Sequence, residues 1–220
     1  MSTINKHIDH SILKQTLSDR DVELGCETAI KHDVASVCVS PFALKRVAEL
    51  LKNNTTIQPC TVIGFPNGNV TKKIKVIETI FALEDGATEI DYVINVGKLI
   101  SGDHRYVEDE IKSVFEEVLA ANAKLKVIIE TCYLNLEQKL LMCKICSDIQ
   151  VDWIKTSTGF GTFGATEEDV KLLKDNVKGG VQVKASGGIK TLDDVKRYID
   201  IGATRIGTSN TDMILSSIVK

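Results

Sequence analysis

Val151-Asp152-Trp153-Ile154-Lys155-Thr156 is an apolar stretch of strand length with a lysine set near its C-terminal end. A lone buried ammonium is costly, so such a lysine either pairs with an anion or sheds its proton, and a neutral amine is what Schiff-base formation with a carbonyl requires. Val181-Gln182-Val183-Lys184-Ala185-Ser186-Gly187-Gly188 repeats the arrangement one strand later. Two ammonium groups facing each other from neighbouring strands cannot both stay ionised cheaply, so one is driven toward the neutral nucleophile while the other remains a cation. The competing explanation is structural: both lysines are interior cations paired with Asp91 and Glu130.

Asp91 lies in Glu89-Ile90-Asp91-Tyr92-Val93-Ile94-Asn95, where alternation puts 89, 91, 93 and 95 on one face. If that face looks toward the lysines, Asp91 can stabilise a cation and relay protons, or serve only as a structural partner. Glu130 and Asn95 read as supporting hydrogen-bonding groups. Gly187-Gly188 and Gly207-Thr208-Ser209-Asn210 each precede a helical pattern, so their backbone N–H groups suit an anion, and Gly159-Phe160-Gly161 can complete the cradle. Phe65-Pro66-Asn67-Gly68 reads as a turn that at most lines the site. The four histidines, at 7, 10, 32 and 104, form no cluster with metal-ligand spacing. Cys143 and Cys146 fall one helical turn apart in an apolar pattern, without a second pair, so they read as core and no metal is expected.

Positioning these groups requires elements that bring separate strand ends together. Short apolar runs at 7–12, 34–39, 60–65, 88–95, 125–130, 151–156, 181–185 and 203–207 predict eight strands. Helical patterns lie between them, including 72–84 and 107–121, and Thr166 and Thr191 each precede acidic residues in the manner of a helix start. Strands apolar on both faces alternating with helices predict an α/β fold, a single-domain (β/α)8 TIM barrel over 1–220. A doubly wound open sheet is the alternative, but no Gly-x-Gly-x-x-Gly turn follows the first strand. In a barrel the chemistry sits at the C-terminal strand ends, where Asp9, Cys38, Asp91, Lys155, Lys184 and Ser209 fall.

Composition agrees with one compact unit: 43% hydrophobic and 26% charged residues, with three prolines, leave no case for disorder. The net charge of −3, from 27 basic and 30 acidic residues, argues against a nucleic-acid face or a polybasic membrane anchor. The leading segment Met1–Lys6 has no signal-peptide core, no apolar run is long enough to span a bilayer, and the six cysteines lack the pattern of a disulfide framework. A cytoplasmic location is expected.

The stretches Ile8-Asp9-His10-Ser11-Ile12-Leu13-Lys14, Ser36-Val37-Cys38-Val39, Thr61-Val62-Ile63-Gly64-Phe65-Pro66-Asn67-Gly68, 89–95, 155–160, 184–188 and 203–209 together make the chain similar to the deoxyribose-phosphate aldolases, over nearly its whole length. The resemblance implies a barrel that reversibly cleaves 2-deoxy-D-ribose 5-phosphate to glyceraldehyde 3-phosphate and acetaldehyde, with no metal or organic cofactor. It implies Lys155 as the Schiff-base lysine, Lys184 as the lysine that perturbs it, and Asp91 as general acid/base. It places Asp9 and Cys38 near the substrate, and Gly187, Gly188, Ser209 and Asn210 near its phosphate, where the loop at Gly159 completes the cradle. A homodimer is compatible with such a barrel. The chain departs from the family at Gly161-Thr162-Phe163-Gly164, at Gln15, and in closing on Ser216–Lys220 where some members carry a tyrosine; the proton route would then rest on Asp91, Lys184 and water. Two other functions are weighed against this one: an isomerase or decarboxylase with purely electrostatic lysines, and a non-catalytic binding barrel.

Overall fold

Eight short segments pair in chain order because each is followed by a helix that returns the chain to the same end of the sheet. The computed structural model describes residues 4–218; Met1, Ser2 and Thr3 of the leading segment and Val219 and Lys220 of the closing one lie outside that range. The strands are β1 (Ile8–Ile12), β2 (Ser36–Val39), β3 (Gln58–Ile63), β4 (Glu89–Val93), β5 (Lys124–Ile128), β6 (Trp153–Lys155), β7 (Gln182–Ser186) and β8 (Arg205–Thr208). All neighbours are parallel, and β8 pairs back onto β1 through Ile8–Ile206 and Asp9–Gly207, so the sheet is a closed barrel and the open doubly wound alternative is excluded.

The outer ring is α1 (Asp19–His32), α2 (Leu44–Leu51), α3 (Lys72–Glu84), α4 (Val96–Ile100), α5 (His104–Ala120), α6 (Leu136–Ile149), α7 (Glu167–Asn176), α8 (Leu192–Ile201) and α9 (Thr211–Ser216). Thr166 and Thr191 cap α7 and α8 with their side chains, as their spacing predicts, and Thr191 with Asp194 forms a full capping box. No helix among the described residues is long and apolar enough to cross a membrane.

Period-two alternation divides the strands into two faces. Ile8, Val37, Val39, Ile90, Tyr92, Val127, Ile154, Val183 and Ile206 are buried in the layer between barrel and helices, each aliphatic side chain contributing about 1.5–3 kcal/mol by burial. Cys143 and Cys146 of α6 belong to this layer, as expected of core residues. The opposite face is the barrel interior, where only Cys38, Cys60 and Val62 form a small apolar cluster. Beside Trp153, Val93 and Ile128, that face carries mainly polar and charged residues.

β3, β4 and β5 each end two residues earlier than their apolar runs predict, and β6 ends one residue earlier. β4 stops at Val93 because the Asn95 side chain accepts a hydrogen bond from the Lys98 N–H and caps α4, so Asn95 leaves the face that carries Asp91. β3 stops at Ile63 because Gly64 turns the chain at φ +63, through a cis Phe65–Pro66 bond, into Gly68. Gly68 has φ +66, and a Cβ there would lie 1.9 Å from the Ile94 carbonyl oxygen, so only glycine closes this turn. The turn carries Phe65 over the C-terminal end of the barrel, where its ring meets Phe160 edge-on at 5.4 Å.

His10 on β1 faces the outer layer, its Nδ1 2.8 Å from Thr211 Oγ1 of α9. Burial, with the charge of His32 adding, pushes its imidazole down to about 4. The folded state therefore holds His10 neutral, while the unfolded chain takes up a proton below about 6.5. Stability from this group is complete above about pH 6.5 and lost as pH falls toward 4, by up to about 3 kcal/mol. Urea unfolding of wild type and His10→Gln between pH 7 and 4.5 should show that slope shrinking in the variant; equal slopes would refute the assignment.

Candidate active site

Register decides which side chains meet inside the barrel. Lys155, Lys184 and Arg205 are side by side on β6, β7 and β8, while Asp91 and Lys126 are side by side on β4 and β5. Lys155 Nζ lies 2.6 Å and Lys184 Nζ 2.7 Å from the same oxygen, Asp91 Oδ2. The two lysines and the aspartate predicted from sequence are thus in direct contact. Asp91 Oδ1 is held from the other side by Lys126 Nζ at 2.8 Å and by the Cys60 thiol at 3.4 Å.

The network continues downward. Lys184 also reaches Asp9 Oδ2 at 2.5 Å, and Lys126 reaches Glu89 Oε2 at 2.6 Å and Asp9 Oδ2 at 3.5 Å. Arg205 grips Glu89 with two hydrogen bonds of 2.9 Å, meets Asp9 Oδ1 at 2.5 Å, and lies over the Trp153 ring at 4.8 Å. Four cations (Lys126, Lys155, Lys184, Arg205) therefore share three carboxylates (Asp9, Glu89, Asp91) in a connected, buried cluster.

Electrostatics follow from that count. Burial alone would raise the Asp91 carboxyl, but Lys126, Lys155 and Lys184 outweigh it and hold the group well below the usual carboxylate range. Asp9 is likewise pulled far down, burial being overcome by Arg205, Lys184 and Lys126. Burial works against the Lys184 and Lys126 ammoniums, yet Asp9 and Asp91 around the first, and Asp91, Cys60, Glu89 and Asp9 around the second, push both above the ordinary lysine value. These two lysines stay charged.

Above the cluster opens a cavity of about 330 Å³ at the C-terminal strand ends. Of the three residues predicted to be catalytic, Lys155 alone borders it. All five residues expected at a phosphate, Gly159, Gly187, Gly188, Ser209 and Asn210, line it. Its wall includes no carboxylate but two exposed lysines, Lys14 and Lys190, so the cavity is suited to an anion. Asp9 and Cys38, expected near a substrate, do not line it: both are completely buried in the interior, Asp9 under Lys184 and Cys38 beside Cys60.

Glu130 is not a lysine partner, contrary to the purely structural reading. At φ +52 past the end of β5 it turns upward, and its carboxylate accepts from the Thr158 N–H and hydroxyl, fixing the loop that follows Lys155. The departing loop at Gly161–Gly164 still packs on the cradle, because a Cβ at Gly164 would lie 2.1 Å from the Gly187 carbonyl oxygen and Ala165 N–H bonds to Ser186 O and Gly187 O. Among the described residues, Cys38, Cys60 and Asp91 are grouped within 4.8 Å as a metal site would be, but the Lys126 ammonium already sits against Cys60 and Asp91. Sequence reasoning misses Lys126, Glu89 and Arg205, although each carries the same signal as Lys155, a charged residue inside an apolar strand run.

The family model for DeoC/LacD family aldolases matches residues 3–209. A deoxyribose-phosphate aldolase of Rhodopirellula baltica is 44% identical over 217 residues, 99% of this chain and 90% of that protein. Among solved structures, the aldolase QR15 superposes with a TM-score of 0.94 at 38% identity, covering 100% of this chain and 97% of the other. The deoxyribose phosphate aldolase of Aeropyrum pernix, described as a tetramer, superposes with a TM-score of 0.91 at 28% identity, covering 99% and 91%. With its barrel, its interior lysines and these matches over nearly its full length, the chain belongs to the DeoC/LacD family of aldolases.

Proposed function

We propose that this aldolase, acting as one catalytic unit, reversibly cleaves 2-deoxy-D-ribose 5-phosphate to glyceraldehyde 3-phosphate and acetaldehyde through a Schiff base on Lys155. The carrying observation is the surplus of one cation in the buried cluster, combined with the position of Lys155 at the cavity floor. Arg205 is permanently charged, and Lys126 and Lys184 each contact more than one carboxylate. Lys155 contacts one carboxylate and borders the cavity, so it is the amine of the cluster that a carbonyl can reach, and as the free amine it is the nucleophile of Schiff-base formation.

Lys155 Nζ attacks the C1 aldehyde of the open-chain sugar, and loss of water leaves an iminium facing Asp91. Removal of the C3-hydroxyl proton, by Asp91 or a water it holds, breaks the C2–C3 bond. The electron pair moves into the iminium, C3 leaves as the aldehyde of glyceraldehyde 3-phosphate, and an enamine remains on Lys155. Protonation at C2, with Lys184 the nearest proton donor, and hydrolysis release acetaldehyde and restore the amine. The substrate phosphate fits the glycine loops at 159, 187 and 188 and the Ser209–Asn210 turn, beside Lys14 and Lys190. No metal or organic cofactor enters any step. An isomerase or decarboxylase with electrostatic lysines would form no covalent adduct.

Six free thiols, five of them buried, support residence in a reducing cytoplasm, and the net charge of −3 argues against nucleic acid as a partner. A homodimer is the proposed assembly. Ile74, Ile77 and Phe81 form an exposed apolar stripe along α3, with Phe81 61% exposed, and the Aeropyrum pernix relative associates.

Aldehyde release from 2-deoxyribose 5-phosphate, measured with chelator present, should survive chelation and fall by at least about a thousandfold in Lys155→Ala. Borohydride added with substrate should leave a reduced two-carbon adduct on Lys155 in wild type; active enzyme with unmodified Lys155 would sink the assignment. For the assembly, light scattering should give a dimer mass for wild type and a monomer for Phe81→Glu, and a monomeric wild type would dismiss it.

A further inference from the structure

Lys126 lies beneath the cavity, and no bond-making or proton-transfer step of the proposed reaction passes through it. Its side chain is completely buried at the middle of β5, one carboxylate away from Lys155, since the two bind opposite oxygens of Asp91. We infer that Lys126 is a positioning residue that makes Lys155 the neutral amine: it pins Asp91 from the side away from the cavity and supplies the surplus cation of the buried cluster. The inference rests on the reading of Lys155 as the Schiff-base lysine.

Charge balance carries the first half of the argument. Without Lys126, the three carboxylates Asp9, Glu89 and Asp91 would match Lys155, Lys184 and Arg205 one for one, and Lys155 could keep its proton as a satisfied partner of Asp91. With Lys126 present, one positive charge has no carboxylate of its own, and in a buried cluster such a charge is expensive. Lys184 alone cannot force this, because Asp9 lies 2.5 Å from it and compensates it.

Geometry carries the second half. A carboxylate held only at Oδ2 could swing about its bond to Cβ; Lys126 at 2.8 Å and the Cys60 thiol at 3.4 Å fix Oδ1, so Oδ2 stays between Lys155 and Lys184. The groups that face Lys126 come from around the barrel. They are Asp9 on β1, Cys38 and Cys60 on β2 and β3, Glu89 and Asp91 on β4, Trp153 beside it on β6, Lys184 on β7, and Arg205 on β8 through their shared Glu89. Glu130, farther along the chain from β5, is turned to Thr158 and joins none of these ion pairs.

The test is the acid limb of kcat/KM against pH in wild type, Lys126→Met, Glu89→Gln and the double variant, with reductive trapping of Lys155 in each. Lys126→Met removes the surplus cation, so the limb should move to higher pH by about one unit or more, as expected for loss of a like charge at this range. Glu89→Gln removes an anion and should move it to lower pH, and the double variant, which restores a surplus of one, should bring it back toward wild type. A purely structural Lys126 would lower the rate by the same factor at every pH, and unmoved limbs in the single variants would overturn the inference. Should Lys126→Met fail to fold, Lys126→Gln, which also removes the cation but keeps a polar side chain beside Asp91 and Glu89, takes its place with the same expected shift. A wild type that traps no adduct on Lys155 overturns the aldolase mechanism itself, whereas trapped adducts with unmoved limbs overturn only the part given to Lys126.

Discussion

Asp91 is clasped by three lysines inside the closed barrel, and this crowding of cations around one anion organises the site. Each oxygen of Asp91 is committed, one to Lys126 and Cys60, the other to Lys155 and Lys184. Buried ion pairs of this kind add little net stability, since desolvation cancels much of the Coulombic gain. What they provide is placement. Each lysine amine is held at a defined point by partners that are themselves held.

The surrounding fold supplies what such a cluster needs. Closure of β8 onto β1 brings Asp9 within reach of Lys184 and Arg205, residues separated from it by most of the chain. An open sheet would leave that aspartate at one edge and the arginine at the other. The apolar layer between strands and helices carries the folding energy, which leaves the interior free to be charged. At the upper end, Glu130 ties down the loop after Lys155, and the Gly164–Gly187 contact packs that loop against the glycine turn after β7. The cavity is thus bordered by the Lys155 amine on its floor and backbone turns on its wall.

Much of this was legible in the sequence because the signals are local. Apolar runs with helical patterns between them specify strand and helix, and threonine before acidic residues marks the starts of α7 and α8, where the caps are found. A lysine in an apolar strand is conspicuous by its cost. The misplacements have equally local causes: Asn95 looked like a strand residue by alternation, but its side chain caps a short helix, and Gly64 ended β3 where the apolar run continued. Asp9 and Cys38 carried the right chemistry at a strand end, yet which depth of the barrel they occupy depends on strand stagger, which no single segment encodes.

The sequence by itself determined the elements, the barrel class, and the set of residues able to do chemistry, because periodicity and the cost of burying charge act over a few residues at a time. Only the tertiary structure decided the count of charges in one enclosure. Lys126, Glu89 and Arg205 each read as a single charged residue in a strand; that they meet Asp9, Asp91, Lys155 and Lys184 follows from register and closure. Proton affinity in a buried cluster is set by all the charges within it, so the proton affinity of each amine is a property of the assembled barrel and not of any segment.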